Sequence, residues 1–289
     1  MSENTQGAPP LDPAEGLCPS DSPQGALLEK RPLTPQNYAA FSQSSRLLSF
    51  VRRAVDDYEM IEPGDRIMVG LSGGKDSAAL LAALIELRRF YPIPFDVCAC
   101  TIDMGFEGAD TTYMADFCRT FGVGFRAVKT NIAHVVFDVK KEKNPCSLCA
   151  RMRRGALHGA AQEMGANKLA LGHHFDDVVD TFMLALTREG RIGTMSPVTY
   201  LDRRNLTMIR PLIYMPEKDI QYFVRRNPSL PIRPSPCPED KHTEREAIKR
   251  LLADMDRKDK GLKHRIFGAI QKAGIDGFKE PGTERREYE

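Results

Sequence analysis

The residues from Ser72 to Ser77 have the types and the order that bind phosphate groups. In sequence they are Ser72, Gly73, Gly74, Lys75, Asp76 and Ser77. Glycines let a phosphate approach the backbone closely, the serine hydroxyls can donate hydrogen bonds, and the lysine adds positive charge. The aspartate can help to hold a magnesium ion that bridges phosphates. The spacing of a Walker loop, Gly-x-x-x-x-Gly-Lys-Ser/Thr, is absent around this segment, so a different kind of nucleotide-binding loop is indicated.

Three of the seven cysteines lie in surroundings that indicate a metal or cluster site. Cys146 and Cys149 have Cys-x-x-Cys spacing directly after a proline, which suits the first turn of a helix, where thiolates are favoured. Cys237 lies in a stiff loop with five prolines, 228–238. Three thiolates fit a four-iron–four-sulfur cluster with one iron lacking a protein ligand, whereas zinc with His242 as fourth ligand fits the same spacing. The spacing alone leaves both alternatives open.

A second group of polar side chains, Gly172–Asp177, follows a predicted strand. Asp176 and Asp177 are placed to bind magnesium or to steer an activated substrate. The two adjacent histidines of this run point in different directions, so a shared metal ion is disfavoured and a structural or surface role is predicted. Asp103 ends another predicted strand and is expected at the same edge of the sheet, because ligands of parallel sheets bind at the carboxyl ends of the strands.

Many arginines lie near these segments in the sequence, and they are interpreted as a surface for RNA phosphates. Each alone is typical of a solvated face, but together, around a nucleotide site and a metal site, they can bind a polyanion. The residues are Arg151, Arg153, Arg154, Arg188, Arg191, Arg203, Arg204, Arg210, Arg225, Arg226 and Arg233.

The elements that must position these groups alternate between strand and helix. Apolar runs predict strands at 66–71, 95–103, 124–129 and 168–172. Apolar stripes at helical spacing predict helices at 43–58, 78–87, 110–121, from 145 to 164, from 176 to 186, 243–258 and 264–273. This alternation predicts an α/β fold with a doubly wound parallel sheet and a helical C-terminal region.

Length and composition limit the number of domains and the cellular location that can be expected. The 289 residues suffice for one large α/β domain with a small appendage. The net charge of +2 predicts nothing about partners, and no long apolar run or leader is visible, so the chain is expected to be cytoplasmic, with no membrane contact. The remaining cysteines, which do not indicate a disulfide framework, are interpreted as core residues or bystanders: Cys18, Cys98, Cys100 and Cys118.

The Ser72–Ser77 segment resembles the PP-loop signature of the ATP pyrophosphatase superfamily, whose members cut ATP between its α and β phosphates. Further motifs make the chain resemble the tRNA 2-thiocytidine synthetase family, also called tRNA-cytidine(32) 2-sulfurtransferases. These motifs are Gly64–Arg66, Pro145–Cys149 with Arg153–Gly155, Gly172–His174 with Asp176–Asp177, Ile209–Leu212, and the third cysteine followed by Arg245–Lys249. The resemblance covers about residues 43–272.

Composition, which is rich in Pro, Ser and Gly at residues 1–35, and this resemblance together predict a division of the chain, and the resemblance also implies a set of cofactors and partners. The expected parts are a disordered tail at 1–35, a PP-loop ATP pyrophosphatase domain at 36–235, a helical region packing on it at 236–276, and a tail at 277–289. The expected cofactors are ATP, Mg²⁺ and a [4Fe-4S] cluster with three protein ligands. The expected partners are tRNA, a sulfur donor such as a cysteine desulfurase and, as one option, a second copy in a homodimer.

The implied reaction is the thiolation of an anticodon-loop cytidine, at position 32 by resemblance. ATP adenylates the C2 oxygen, and sulfur then replaces the AMP. The residues expected in catalysis are Lys75, Asp176, Asp177 and Cys237. Those expected to bind nucleotide are Ser72, Gly73, Gly74, Lys75, Asp76, Ser77, Asp103, Gly172 and His173. The expected cluster ligands are Cys146, Cys149 and Cys237.

One departure from the family pattern affects the loop around Cys237. The family usually has a Cys-Asn-Leu-Cys-Gly-Ser-Gln-like segment there, and this chain has Ser235–Asp240, without one cysteine and the following glycine.

Two alternative functions are compatible with the same motifs. One is another PP-loop enzyme with structural zinc, such as an amide-forming or lysidine-type ligase, and the other is an RNA-binding protein without catalytic activity.

Overall fold

The structure, a computed structural model, describes residues 41–140, 145–234, 237 and 244–280. The predicted tail at 1–35, residues 281–289 of the predicted C-terminal tail, and His242 lie outside the described residues. The strands are β1 (Arg66–Gly70), β2 (Asp96–Asp103), β3 (Gly124–Lys129), β4 (Lys168–Ala170), β5 (Val198–Leu201) and β6 (Leu206–Ile209). The helices are α1 (Ser44–Asp57), α2 (Lys75–Leu87), α3 (Thr112–Thr120), α4 (Ile132–His134, continued by the π-helical Val135–Lys140), α5 (Pro145–Glu163), α6 (Phe175–Arg188), α7 (Glu217–Arg226), α8 (Glu244–Lys258) and α9 (Leu262–Lys272).

The six strands form one sheet in the order β3-β2-β1-β4-β6-β5. All neighbouring pairs are parallel except β5 and β6. The order turns back at β1, because β2 lies on one side of it and β4 on the other. The carboxyl ends of β1 and β4 therefore meet at a switch point, where open α/β sheets bind their ligands. The predicted doubly wound α/β fold is confirmed.

Alternation along the strands separates two cores. Ile67 and Val69 of β1 face the larger core, which contains α1, α2, α3, α6 and α7. Met68, between them, faces a smaller core formed with Ala160, Ala161 and other residues of α5. Since successive strand side chains point to opposite faces, β1 joins both layers of helices. Cys98, Cys100 and Cys118 are buried, as the core interpretation predicted.

The sequence did not predict β5, β6 or α7, and the structure corrects the all-parallel sheet at this edge. A turn at Asp202–Arg204, with Asn205 in the left-handed region at φ 47°, joins β5 directly to β6. So short a connection can join only antiparallel strands, because a parallel pair needs a long crossover. Each strand has four residues, which is too few for a periodic pattern to stand out.

The C-terminal helices α8 and α9 pack against α6. Ile248 and Leu252 of α8, and Phe267 and Ile270 of α9, are buried in the larger core. Phe267 lies 4.9 Å from Phe175, the first residue of α6, between ring centroids. The described helices are all too short or too polar to cross a membrane. The boundaries of the predicted parts stay a prediction.

Candidate active site

The segment between β1 and α2 forms a loop that its own hydroxyl groups hold in shape. The Ser72 N–H donates to Ser77 Oγ at 3.1 Å, and the Gly74 N–H donates to Ser72 Oγ at 3.3 Å. Ser77 Oγ donates to the Gly74 carbonyl at 3.1 Å. Gly73 has φ +81°, a conformation that other residues rarely adopt. The loop thus leads into the first turn of α2, where free backbone N–H groups attract anions.

Lys75, at the start of α2, is shared between two carboxylates. Its Nζ lies 3.0 Å from Asp76 and 3.0 Å from Glu217, the first residue of α7. The other Glu217 oxygen is 2.9 Å from Lys249 of α8. Burial would raise the pKa of Glu217, but hydrogen bonds from Lys249 and Lys75 lower it to about 2. One ionised carboxylate therefore holds two ammonium groups beside the loop.

The predicted pair Asp176 and Asp177 starts α6 and is tied to the C-terminal helices. Asp176 accepts hydrogen bonds from Lys263 Nζ of α9 at 2.7 Å and from the Glu217 N–H at 2.8 Å. Asp177 Oδ1 lies 3.4 Å from Arg245 of α8. Burial opposes ionisation of Asp176, yet the Glu217 N–H and Lys263 lower its pKa. Both carboxylates are thus engaged by groups that sequence reasoning did not assign to this site.

The turn after β4 packs directly on the loop. A Cβ added to Gly172 would lie 2.9 Å from the Ser77 nitrogen, so the two backbones are in contact. His174 is buried, with Nε2 3.4 Å from Asp177 and 3.8 Å from Asp76. Burial, assisted by Arg210, lowers the pKa of His173 to about 4, so its imidazole is neutral at physiological pH. These contacts bring the predicted Gly172–Asp177 group and the loop into one site.

Asp103 lies at the carboxyl end of β2, the neighbour of β1, as predicted. Its Oδ1 accepts a hydrogen bond from the Gly105 N–H at 2.9 Å, and its carbonyl accepts one from Thr130. These bonds shape the turn after the strand. Nucleotide binding by Asp103 stays a prediction.

The cysteines Cys146 and Cys149 lie on the first turn of α5, as predicted. Burial raises the pKa of the Cys149 thiol, Arg153 opposes this, and the thiols of Cys237 and Cys146 raise it further. The three predicted thiols therefore share one neighbourhood. Within the described residues no three histidine, cysteine or acidic side chains have the spacing of a metal site. The ligand set stays a prediction.

The proline-rich segment before Cys237 contacts the phosphate-binding loop. The Arg233 N–H donates to the Gly73 carbonyl at 2.9 Å. The Arg233 guanidinium lies 4.1 Å from the Tyr113 ring centre and pairs with Asp110 at 2.7 Å. Four residues span at most about 14 Å, so Cys237 lies close to the loop. This contact places the segment that leads to Cys237 beside the phosphate-binding loop.

Sequence reasoning missed the roles of Glu217, Lys249 and Lys263. The role of Glu217 could not be inferred from the sequence, because α7, the helix that begins with this residue, was not predicted. Arg245 and Lys249 are four residues apart on one predicted helix, so the sequence places them on the same helix face. It does not show which residues that face contacts. The ion pairs join residues far apart in the chain, which local patterns cannot reveal.

Because Asp180, one turn after Asp176, is buried, we expect the stability of the folded protein to depend on pH. It is 3% exposed, and burial raises its pKa from the ordinary 3.8 to about 6. Since the folded state binds the proton more tightly, stability falls as pH rises from about 4 to 6 and stays reduced above that. Asp180→Asn is therefore expected to stabilise the protein by about 1–3 kcal/mol at pH 8, and by almost nothing below pH 4. Thermal unfolding at both pH values measures this, with Asp116→Asn, an exposed partner of Arg119, as the control. A destabilised Asp180→Asn protein at pH 8 would contradict the prediction.

The sheet order, with this loop between β1 and α2, defines a PP-loop protein. The family model described as PP-loop domain matches residues 44–254. A tRNA-cytidine(32) 2-sulfurtransferase of Teredinibacter turnerae is 38% identical over 243 residues, which cover 83% of this chain and 80% of that protein. The one of Syntrophotalea carbinolica is 39% identical over 221 residues, covering 75% and 85%. The chain therefore belongs to the tRNA-cytidine(32) 2-sulfurtransferase family, which confirms the resemblance seen in the motifs.

A solved structure has the same fold. The U34-tRNA thiolase NcsA from Methanococcus maripaludis, determined with its [4Fe-4S] cluster, matches with a TM-score of 0.63 and 23% sequence identity. The match covers 78% of each chain. At this identity, the likeness establishes the shared architecture.

Proposed function

We propose that the protein is an ATP-dependent tRNA sulfurtransferase that converts a cytidine of the anticodon loop, at position 32, to 2-thiocytidine. Membership of the sulfurtransferase family supports the substrate and the product. The observation that carries the mechanism is the hydrogen bond from the Arg233 N–H to the Gly73 carbonyl. It joins the nucleotide-binding loop to the segment that carries Cys237, as a reaction with two activated reactants requires.

The first step is adenylation. The C2 oxygen of a pyrimidine is a very poor leaving group, so it must first be activated. It attacks the α-phosphorus of ATP, the bond from that phosphorus to pyrophosphate breaks, and the oxygen can later leave as part of AMP. In this proposal the free N–H groups at the start of α2 and Lys75 stabilise the negative charge of the phosphates. Asp76 Oδ1 is buried without a hydrogen-bond partner, which suits a ligand to magnesium. A bound Mg²⁺ would neutralise phosphate charge.

The second step is sulfur transfer. Sulfide attacks C2, a carbon–sulfur bond forms, and the bond from C2 to the oxygen of AMP breaks. Cysteine thiolates are the soft donors that iron–sulfur clusters use, so Cys146 and Cys149 at the start of α5, together with Cys237 of the proline-rich loop, would hold a [4Fe-4S] cluster. With three protein ligands, such a cluster would supply an iron that could hold sulfide. NcsA, which shares the fold, contains a [4Fe-4S] cluster and is consistent with this assignment.

The sulfide must be supplied from outside the chain. The proposed source is the persulfide of an enzyme such as a cysteine desulfurase, whose outer sulfur is released as sulfide when two cellular thiols supply two electrons and are oxidised to a disulfide. The homodimer stays a prediction.

Nucleoside mass spectrometry of tRNA from a deletion strain tests the proposed function. The strain should lack 2-thiocytidine, and the gene for this chain should restore it. Persistence of 2-thiocytidine in the deletion strain would overturn the proposal.

Ser77→Ala is expected to lower pyrophosphate release from ATP about 10- to 100-fold and to leave iron and sulfide content unchanged. Ser77 Oγ accepts from Ser72 and donates to Gly74, so its removal loosens the phosphate-binding loop but touches none of the cysteines. The matched control is Ser49→Ala, a change at an exposed serine of α1. An equal loss of iron in Ser77→Ala would mean that the loop and the cluster site depend on each other.

A further inference from the structure

Arg210, directly after β6, is a buried cation without an anionic partner among the described residues. Its side chain is 8% exposed. One terminal nitrogen donates to the Ser196 carbonyl and to Thr199 Oγ1, while Nε is buried without a hydrogen-bond partner. Burial lowers the pKa of Arg210 to about 10, and the charged neighbour that lowers it further is another cation, Arg154.

Burying a guanidinium without a counter-ion costs free energy, so such a residue needs an explanation. The two hydrogen bonds tie Arg210 to Ser196, just before β5, and to Thr199 within β5, which accounts for one nitrogen. They do not account for the unpaired Nε or for the absence of a carboxylate. An anion that arrives with a substrate explains both.

The position of Arg210 indicates which substrate could supply this anion. It follows the carboxyl end of β6, which pairs with β4, so it lies beside the turn that contains His173. His173 Nδ1 is also buried without a partner. Arg210 therefore lies at the edge of the nucleotide site rather than within the phosphate-binding loop, which has Lys75 of its own.

Two exposed arginines, Arg154 and Arg204, bring positive charge to the buried side chain of His158, and Arg154 also brings it to Arg210. Beyond the effect of burial, the positive charge of Arg154 on α5 lowers the pKa of both Arg210 and His158. The charge of Arg204, in the β5–β6 turn, also lowers the pKa of His158. Neither forms an ion pair with a described residue. By contrast, Arg188, Arg191 and Arg233 each pair with a carboxylate. The eleven predicted RNA-contacting arginines are therefore not equivalent: Arg154 lies near Arg210, and Arg154 and Arg204 both lie near His158.

We propose that Arg210 binds a phosphodiester of the RNA strand beside the target nucleotide, with Arg154 and Arg204 binding the phosphates that follow. This rests on the proposed tRNA substrate. The ligand chemistry is that of a phosphate ester, and a guanidinium binds it through two parallel hydrogen bonds. ATP is the other source of such a group near the site, so the test separates the two.

The test measures binding of an unmodified tRNA transcript with cytidine at position 32, across a series of salt concentrations. Arg210→Gln is expected to weaken tRNA binding about 10-fold or more and to lower the salt slope by about 1, with the dissociation constant for ATP unchanged. The control is Arg119→Gln, which removes an exposed charge of α3 that pairs with Asp116. Binding is read without any sulfur chemistry, so failure of thiolation would leave this test intact.

Two results would overturn the proposal. Weaker ATP binding with unchanged tRNA binding would assign Arg210 to the nucleotide, and no change in either would assign it to the fold. If Arg210→Gln does not fold, as judged by thermal unfolding, the double variant Arg154→Gln/Arg204→Gln provides the test, because both side chains are exposed. It is expected to lower the salt slope by about 2, and an unchanged slope would contradict the proposal.

Discussion

The Cys237→Ala variant, purified without oxygen, is expected to lose its iron and its broad visible absorbance, and to form no 2-thiocytidine, while it still binds ATP. Its thiol shares a neighbourhood with those of Cys146 and Cys149, and a cluster with three protein ligands cannot keep its geometry with two. The phosphate-binding loop has its own hydrogen bonds and contains no cysteine, so nucleotide binding is preserved. Iron and sulfide analysis, absorbance spectra and ATP binding measure these outcomes.

Two further variants make the Cys237 experiment specific. Cys18→Ala, in the predicted N-terminal tail, removes a thiol without affecting the cluster and is the matched control. His242→Ala separates iron–sulfur from zinc, since a zinc site of Cys146, Cys149, Cys237 and His242 would need the histidine about as much as the cysteine. A colourless, air-stable protein with stoichiometric zinc and no iron would sink the sulfur-transfer mechanism.

Much of the fold could be predicted because its signals are local. The strand before Ser72 is a continuous apolar run, and α2 consists of helix-forming residues, so the strand–loop–helix unit was visible without any distant contact. β3 was predicted at its observed limits, Gly124–Lys129. The four-residue strands β5 and β6 lack such a signal, and their pairing depends on a turn with a left-handed asparagine.

The candidate site was predicted as residue types but not as an arrangement. The loop, the Gly172–Asp177 turn and the first two cysteines could be placed because each follows a recognisable strand or starts a helix. The ion pairs to Glu217 and Lys263 could not, since they join positions far apart in sequence. The contact between Arg233 and Gly73 depends on how a proline-rich segment folds back, which its composition does not specify.

These ion pairs change the interpretation of the C-terminal helices. From the sequence, α8 and α9 are an appendage that packs on the main domain. In the structure, Lys249 and Arg245 of α8 and Lys263 of α9 neutralise carboxylates around the phosphate-binding loop. A bound triphosphate would bring several negative charges to the same place, and positive side chains beside the loop would stabilise it. The helices therefore contribute to the electrostatics of the site as well as to the core.

Gly172→Ala is expected to lower kcat/KM for ATP about 100-fold, because a displacement of about 1 Å at a reacting centre has effects of that size. The new Cβ would lie 2.9 Å from the Ser77 nitrogen and 3.0 Å from the Asp76 carbonyl carbon. Both are backbone atoms at the start of α2, so no side chain can turn aside and the phosphate-binding loop itself must move. Pyrophosphate release with tRNA present measures the loss. The control is Gly268→Ala in α9, where a Cβ meets nothing within 4 Å and helix propensity predicts a gain of about 0.5–1 kcal/mol. Wild-type kinetics for Gly172→Ala would show that the loop tolerates the displacement and does not set the position of the α-phosphate.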